Sequence, residues 1–112
     1  MDAKLAQLRQ HNEAARQRLL QEALEWLSHH AATFDIQQGY LFGSVTQSGK
    51  FSQDSDLDLA VDSLGNGDPF GLVSDLSIHL NRDVDLVPLD QCHFADKICR
   101  TGVVWNANKS LD

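Results

Sequence analysis

The segment Asp56-Leu57-Asp58-Leu59-Ala60-Val61 constrains this chain more than any other, because acid and leucine alternate at its start. In a strand, residues i and i+2 share a face, with Cα atoms roughly 6.6 Å apart. Leu57 and Leu59 then turn towards a core, and Asp56 and Asp58 set two carboxylates side by side on the other face. Such carboxylates resist joint ionisation unless a cation lies between them. Magnesium accepts hard oxygen ligands of this kind and keeps phosphates as co-ligands. Upstream, Gly43-Ser44 follows the apolar run Tyr40-Leu41-Phe42 and is separated from Asp56 by eleven residues. A Gly-Ser turn offers backbone N–H groups to an anion. The pattern points to metal and phosphate held together.

The remaining periodicities place this segment in an α/β domain. Residues 3–30 read as a helix, with Leu5, Leu8, Ala15, Leu19, Ala23, Trp26 and Leu27 recurring at three- and four-residue steps. Its middle, Gln10-His11-Asn12-Glu13, is polar enough for the helix to break or fray there. The apolar face packs on a sheet in one reading and docks a partner in the other. A linker over 33–38 leads to a strand at 39–42, and Ser44 opens a helical turn that Gly49 stops. The second strand is expected at 56–61, followed by a surface loop over 62–69. Asp68 caps, and Pro69 begins, a helix through Asn81. A third strand is expected at 83–87, a last helix at 91–100 and an edge strand at 102–105. The expected organisation is an N-terminal amphipathic helix over 1–32, a small mixed β-sheet flanked by helices over 33–105, and a flexible tail over 106–112.

Hydrophobic-Gly-Ser, a spacer, Asp56-x-Asp58-hydrophobic and the later Arg82-Asp83-Val84-Asp85-Leu86-Val87 occur here in order. This combination resembles the DNA polymerase beta-type nucleotidyltransferase superfamily over roughly residues 36–104. The smallest members are the minimal nucleotidyltransferases, many of them antitoxins (MntA-like) paired with HEPN-domain toxins. The resemblance implies a polymerase beta-like fold with an added N-terminal helix. It implies transfer of AMP from ATP to an acceptor hydroxyl, with pyrophosphate leaving and two Mg2+ ions as cofactors. Asp56, Asp58 and Asp85 would then be the catalytic, metal-binding carboxylates, and Gly43 and Ser44 would bind the triphosphate. Lys50 is the cation nearest that turn and a further candidate phosphate contact. The chain departs from the family in two ways. Its spacer is one residue longer than the usual ten, and Gln47 and Ser48 stand where members often carry Arg and Gly.

Composition narrows the partners. The 112 residues, 42% hydrophobic, suit one small domain with a single core. Nine Lys and Arg against sixteen Asp and Glu give a formal charge of −7, which repels a long nucleic acid and also favours solubility. No apolar run approaches the ~20 residues of a membrane helix, and residues 1–5 lack the pattern of a secretion signal. A cytoplasmic protein is expected.

Cys92 and Cys99 fall seven apart in the expected last helix, an axial distance of roughly 10 Å that excludes a disulfide within it. Both are expected to be small core residues. His11, His29, His30, His79 and His93 share no ligand spacing. Arg82 would contact phosphate or pair with Asp83. One small acidic domain leaves little room for a large acceptor. The expected acceptor is therefore a partner protein, in the family's terms a tyrosine of a HEPN RNase toxin. A non-catalytic antitoxin of the same fold and a small-molecule nucleotidyltransferase are the alternatives.

Overall fold

The chain runs through α1 (Ala3–His30), β1 (Gln38–Phe42), β2 (Leu57–Val61), α2 (Pro69–Leu80), β3 (Val84–Pro88), α3 (Ala95–Thr101) and β4 (Val103–Asn106). These elements come from a computed structural model that describes residues 3–62 and 67–107. Short 3-10 turns follow α1, β1 and β3, at Ala31–Phe34, Gly43–Thr46 and Leu89–Gln91. The strands form one mixed sheet in the order β3-β2-β1-β4. β1 is antiparallel to both β2 and β4, and β2 is parallel to β3 across the α2 crossover. This is the expected α/β architecture of a small mixed sheet with flanking helices.

Register divides each strand between two environments. Phe42 lies opposite Asp58, and Asp58 opposite Asp85, so these three side chains share one face. Leu41, Leu57, Leu59, Val61 and Val84 occupy the other face and are buried. They pack with Leu19, Ala23, Trp26 and Leu27 of α1 and Leu72 and Leu76 of α2 in one cluster. Each buried Leu or Val among them contributes about 1.5–3 kcal/mol through burial. Trp26 stacks on Phe34, and the Trp105 indole donates to Ser28 Oγ at 3.1 Å, tying β4 to α1. On the carboxylate face, Cys99 of α3 reaches the Tyr40 hydroxyl and holds its pKa above the ordinary value. α3 therefore covers the part of that face over β1.

α2 begins as its sequence dictates. Asp68 accepts a hydrogen bond from the Phe70 amide, Pro69 takes the first position, and Asn81 closes the helix in the left-handed conformation. Residues 63–66 of the loop before it, and 108–112 of the expected tail, lie outside the described residues. Asn106 closes β4, and the Ala107 amide donates to Gln37 O at 3.0 Å.

α1 has the expected bounds and is continuous through its polar middle, because Glu13 accepts from Arg16 three residues on and Gln17 four residues on, and no Gly or Pro interrupts. Three local expectations need correction. Leu5 and Leu8 are 42% and 54% exposed rather than packed. A 28-residue helix is about 42 Å long, and the molecule is only 29 × 28 Å across its shorter axes, so the first turns overhang the sheet. The last helix starts at Ala95, after a 3-10 turn, so Cys92 lies outside it. Its single buried residue is Ile98, and neither cysteine belongs to the core: Cys92 is half-buried and Cys99 exposed.

Candidate active site

β2 carries Asp58 into the middle of the open face, with Phe42 on one side and Asp85 on the other. Asp56 stands just ahead of the strand, which starts at Leu57, one residue later than expected, and is exposed, as is Asp85. The Leu57 amide bonds to Asp83 O at 2.9 Å, which fixes how Asp56 leaves the sheet. The pKa of Asp58 is raised to about 6. Partial burial is the largest cause, followed by the charge of Asp85, the charge of Asp56 and a hydrogen bond with the Asp85 carboxyl. The fold thus brings Asp56 and Asp85 into electrostatic contact with Asp58.

That contact is a test of fit for divalent ions. Asp58, whose proton affinity is raised by burial and by two neighbouring carboxylates, presents together with them the oxygen donors that a hard cation would satisfy. Among the described residues no group of three His, Cys, Asp or Glu side chains is placed to hold a metal unaided. Magnesium keeps only one or two protein carboxylates in many sites, with phosphate and water completing the shell. The donor chemistry fits an ion that arrives with phosphate.

Gly43 is bound to this arrangement by space as well as by conformation. Its φ of 76° is in the left-handed region, and a Cβ at this position would collide with Asp58 Oδ2. Glycine is required because the carboxylate fills the room a side chain would need. The Gly43 carbonyl accepts from Thr46 Oγ1 at 2.8 Å and Gln47 Nε2 at 3.4 Å, bracing the turn that holds half-buried Ser44. Lys50 is exposed in the next turn. Its neighbours Ser48, Gly49 and Phe51 line a cleft with Arg9, Asn12 and Glu13 of α1, so this turn faces the helix.

Two arginines hold the loops that carry the site, and spacing in the sequence signals neither role. Arg16 of α1 donates to Val45 O at 3.1 Å while paired with Glu13 at 2.6 Å. Glu13 is held down to about 2 by hydrogen bonds from Arg16, Gln17 and Ser48, which links α1 to the far end of the same turn. Arg82 does not pair with Asp83. Its Nη1 donates to the carbonyls of Ser52, Gln53 and Ser55 at 3.4, 3.1 and 2.5 Å, and its guanidinium lies 4.9 Å from the Phe51 ring centre. Gln53 Nε2 also donates to His11 Nε2 at 2.7 Å. The loop that delivers Asp56 is thereby pinned to β3 and to α1.

The chain is similar to known proteins in the same terms. The family described as "Polymerase beta, Nucleotidyltransferase" matches residues 7–109. No curated protein matches the sequence. A crystal structure of a toxin–antitoxin with AMP-PNP superposes with a TM-score of 0.52 at 32% identity, over 68% of this chain and 72% of that one. A crystal structure of the toxin–antitoxin MntA-HpeT superposes with a TM-score of 0.50 at 29% identity, over 68% of this chain and 71% of that one. That second protein is a mutant in which two aspartates two positions apart are replaced by glutamate.

Proposed function

Because the chain belongs to the polymerase beta nucleotidyltransferase family, we propose that it moves AMP from ATP to a hydroxyl of a partner protein. The partner is a toxin, and modification silences it. The observation that carries this reading is the aspartate triad, where Asp58 is raised to about 6 by burial and by its two acidic neighbours. A cluster that costs the free protein electrostatic energy is suited to charge that arrives with the substrate. The toxin–antitoxin likeness supports the partner class, and AMP-PNP in one of those structures supports a nucleoside triphosphate. The aspartate pair replaced in the other has the spacing of Asp56 and Asp58.

In this mechanism the acceptor oxygen attacks the α-phosphorus in line, the new O–P bond forms, and the bond to pyrophosphate breaks. Asp56, Asp58 and Asp85 would hold two Mg2+ ions, which when bound would offset the charge of carboxylates and phosphates and ease loss of the hydroxyl proton. Gly43 leaves the backbone of its turn open beside Asp58, and the Ser44 hydroxyl and amide hold outer phosphate oxygens. Asp85, exposed on edge strand β3, faces the side from which a partner's hydroxyl has access. Arg16 and Arg82 act from behind, fixing the turn and the loop so that positioning does most of the catalysis. The partner is a HEPN-type RNase, the acceptor a tyrosine, the site of action cytoplasmic, and Lys50 an auxiliary phosphate contact.

The test is intact-mass measurement of the candidate toxin after incubation with this protein, ATP and magnesium. An AMP-sized increment is expected on the toxin, absent with Asp56→Ala/Asp58→Ala. Full silencing of the toxin by that double variant, with no increment from the native chain, would overturn the transferase reading in favour of masking by binding.

A further inference from the structure

On the carboxylate face, a cleft of about 600 Å³ opens where the Gly43 turn meets α3. Its walls include Phe42, Gly43, Gln47, Phe94, Lys97 and Thr101. Phe42 is the cross-strand partner of Asp58, and Gly43 abuts the Asp58 carboxylate, so the cleft runs into the acidic site. Two of its residues are unexplained by packing. Phe94 is 46% exposed at the start of α3, although the ring has apolar surface to bury. Lys97 is exposed one turn later, and its ammonium pairs with no carboxylate among the described residues.

The two side chains supply what the aspartates lack. Three carboxylates repel a polyanion, and in a chain of net charge −7 an unpaired cation at the mouth of the site gives a phosphate a place to settle. An exposed aromatic ring beside it offers a stacking surface that accepts any base. The volume lies within the range of about 300–1,000 Å³ typical of small-molecule sites.

We propose that this cleft is the nucleoside triphosphate site, with the base against the Phe94 ring and a phosphate on the Lys97 ammonium. The α-phosphate then lies towards Gly43 and Asp58. This assignment rests on the nucleotidyl-transfer reading and deepens it by naming residues of α3 that bind the substrate.

The experiment is calorimetric titration of the full chain with AMP-PNP and magnesium, repeated with inorganic triphosphate. Lys97→Ala is expected to raise Kd for both ligands about tenfold, and Lys97→Arg to restore it. Phe94→Ala is expected to raise Kd for AMP-PNP about tenfold and leave inorganic triphosphate unchanged. AMP-PNP is also expected to protect Lys97 of the native chain from acylation, a readout that needs no variant. Native binding of AMP-PNP with both alanine variants unaffected, or with Lys97 unprotected, overturns this assignment and leaves the transferase reading standing. Failure of the native chain to bind any nucleotide overturns the transferase reading, and this assignment with it.

Discussion

The two faces of one sheet are built from alternate residues of the same strands and have opposite energetics. On the helix-covered face, Leu57 and Leu59 of β2 are fully buried and packed against α1 and α2. On the open face Asp58, the residue between them, is partly buried and set against Asp85 and Asp56, and burial first and then these charges raise its pKa to about 6. A strand can therefore contribute stability through one set of side chains and hold strained charge with the other. The sheet supplies the first to carry the second, which is the usual relation between a core and a site.

The sharpest way to break this contrast is to substitute single residues on each face and compare fold with turnover. Asp58→Asn keeps the shape of the side chain but removes the charge central to the site, so AMP transfer should fall about a thousandfold in a mass-increment rate assay. A variant that retains native rate would separate the carboxylate cluster from the chemistry. Leu59→Ala should cost about 3 kcal/mol in urea unfolding, since the cavity lies at the centre of the covered face. Loss of a few tenths only would mean that the two faces differ less than their burial says.

Smaller effects test the loops that join the faces. Arg82→Met removes the donor shared by the Ser52, Gln53 and Ser55 carbonyls. It should lower stability by about 1–2 kcal/mol, because those carbonyls can turn to water once released. The rate of hydrogen exchange over 52–56 should rise, and unchanged exchange would show that the loop holds itself.

The smallest effect has the opposite sign. Folded Asp58 keeps its proton up to about pH 6, against about pH 4 in an unfolded chain. The folded state therefore binds more protons between these values, and stability falls as pH rises through them and stays lower above. Asp58→Asn removes that loss, so without divalent cations it should be more stable than the native chain at pH 8. The gain should be about 1 kcal/mol, less than the full shift implies because solvent screens a partly exposed group. It should vanish below about pH 4, where both states of the native chain are protonated. A gain that persists in acid would assign it to packing instead.

Much of this division was legible in the alternation of Asp and Leu at 56–59 and in the order Gly43-Ser44, Asp56-x-Asp58, Asp85. Period-two patterning says which side chains share a face, and Asp68-Pro69 marks a helix start by local chemistry alone. The last helix was less legible, because 91–100 offers neither a capping side chain nor a sustained apolar face, and α3 forms only from Ala95. The overhang of Leu5 and Leu8 was not legible either, since helical periodicity does not reveal where the sheet beneath ends.

What the sequence determined by itself was local: strand faces, turn positions, the α2 cap and the order of the three aspartates along the chain. Tertiary structure alone decided that Asp58 fills the space a Gly43 side chain would take, and that Arg16 and Arg82 grip loops 27 to 30 residues distant in the chain. It also decided that α3 places Phe94 and Lys97 beside the turn. The physical reason is range. Side-chain alternation and capping act over a few residues and leave a period or a motif, whereas a guanidinium reaching a distant carbonyl leaves none until the strands have paired.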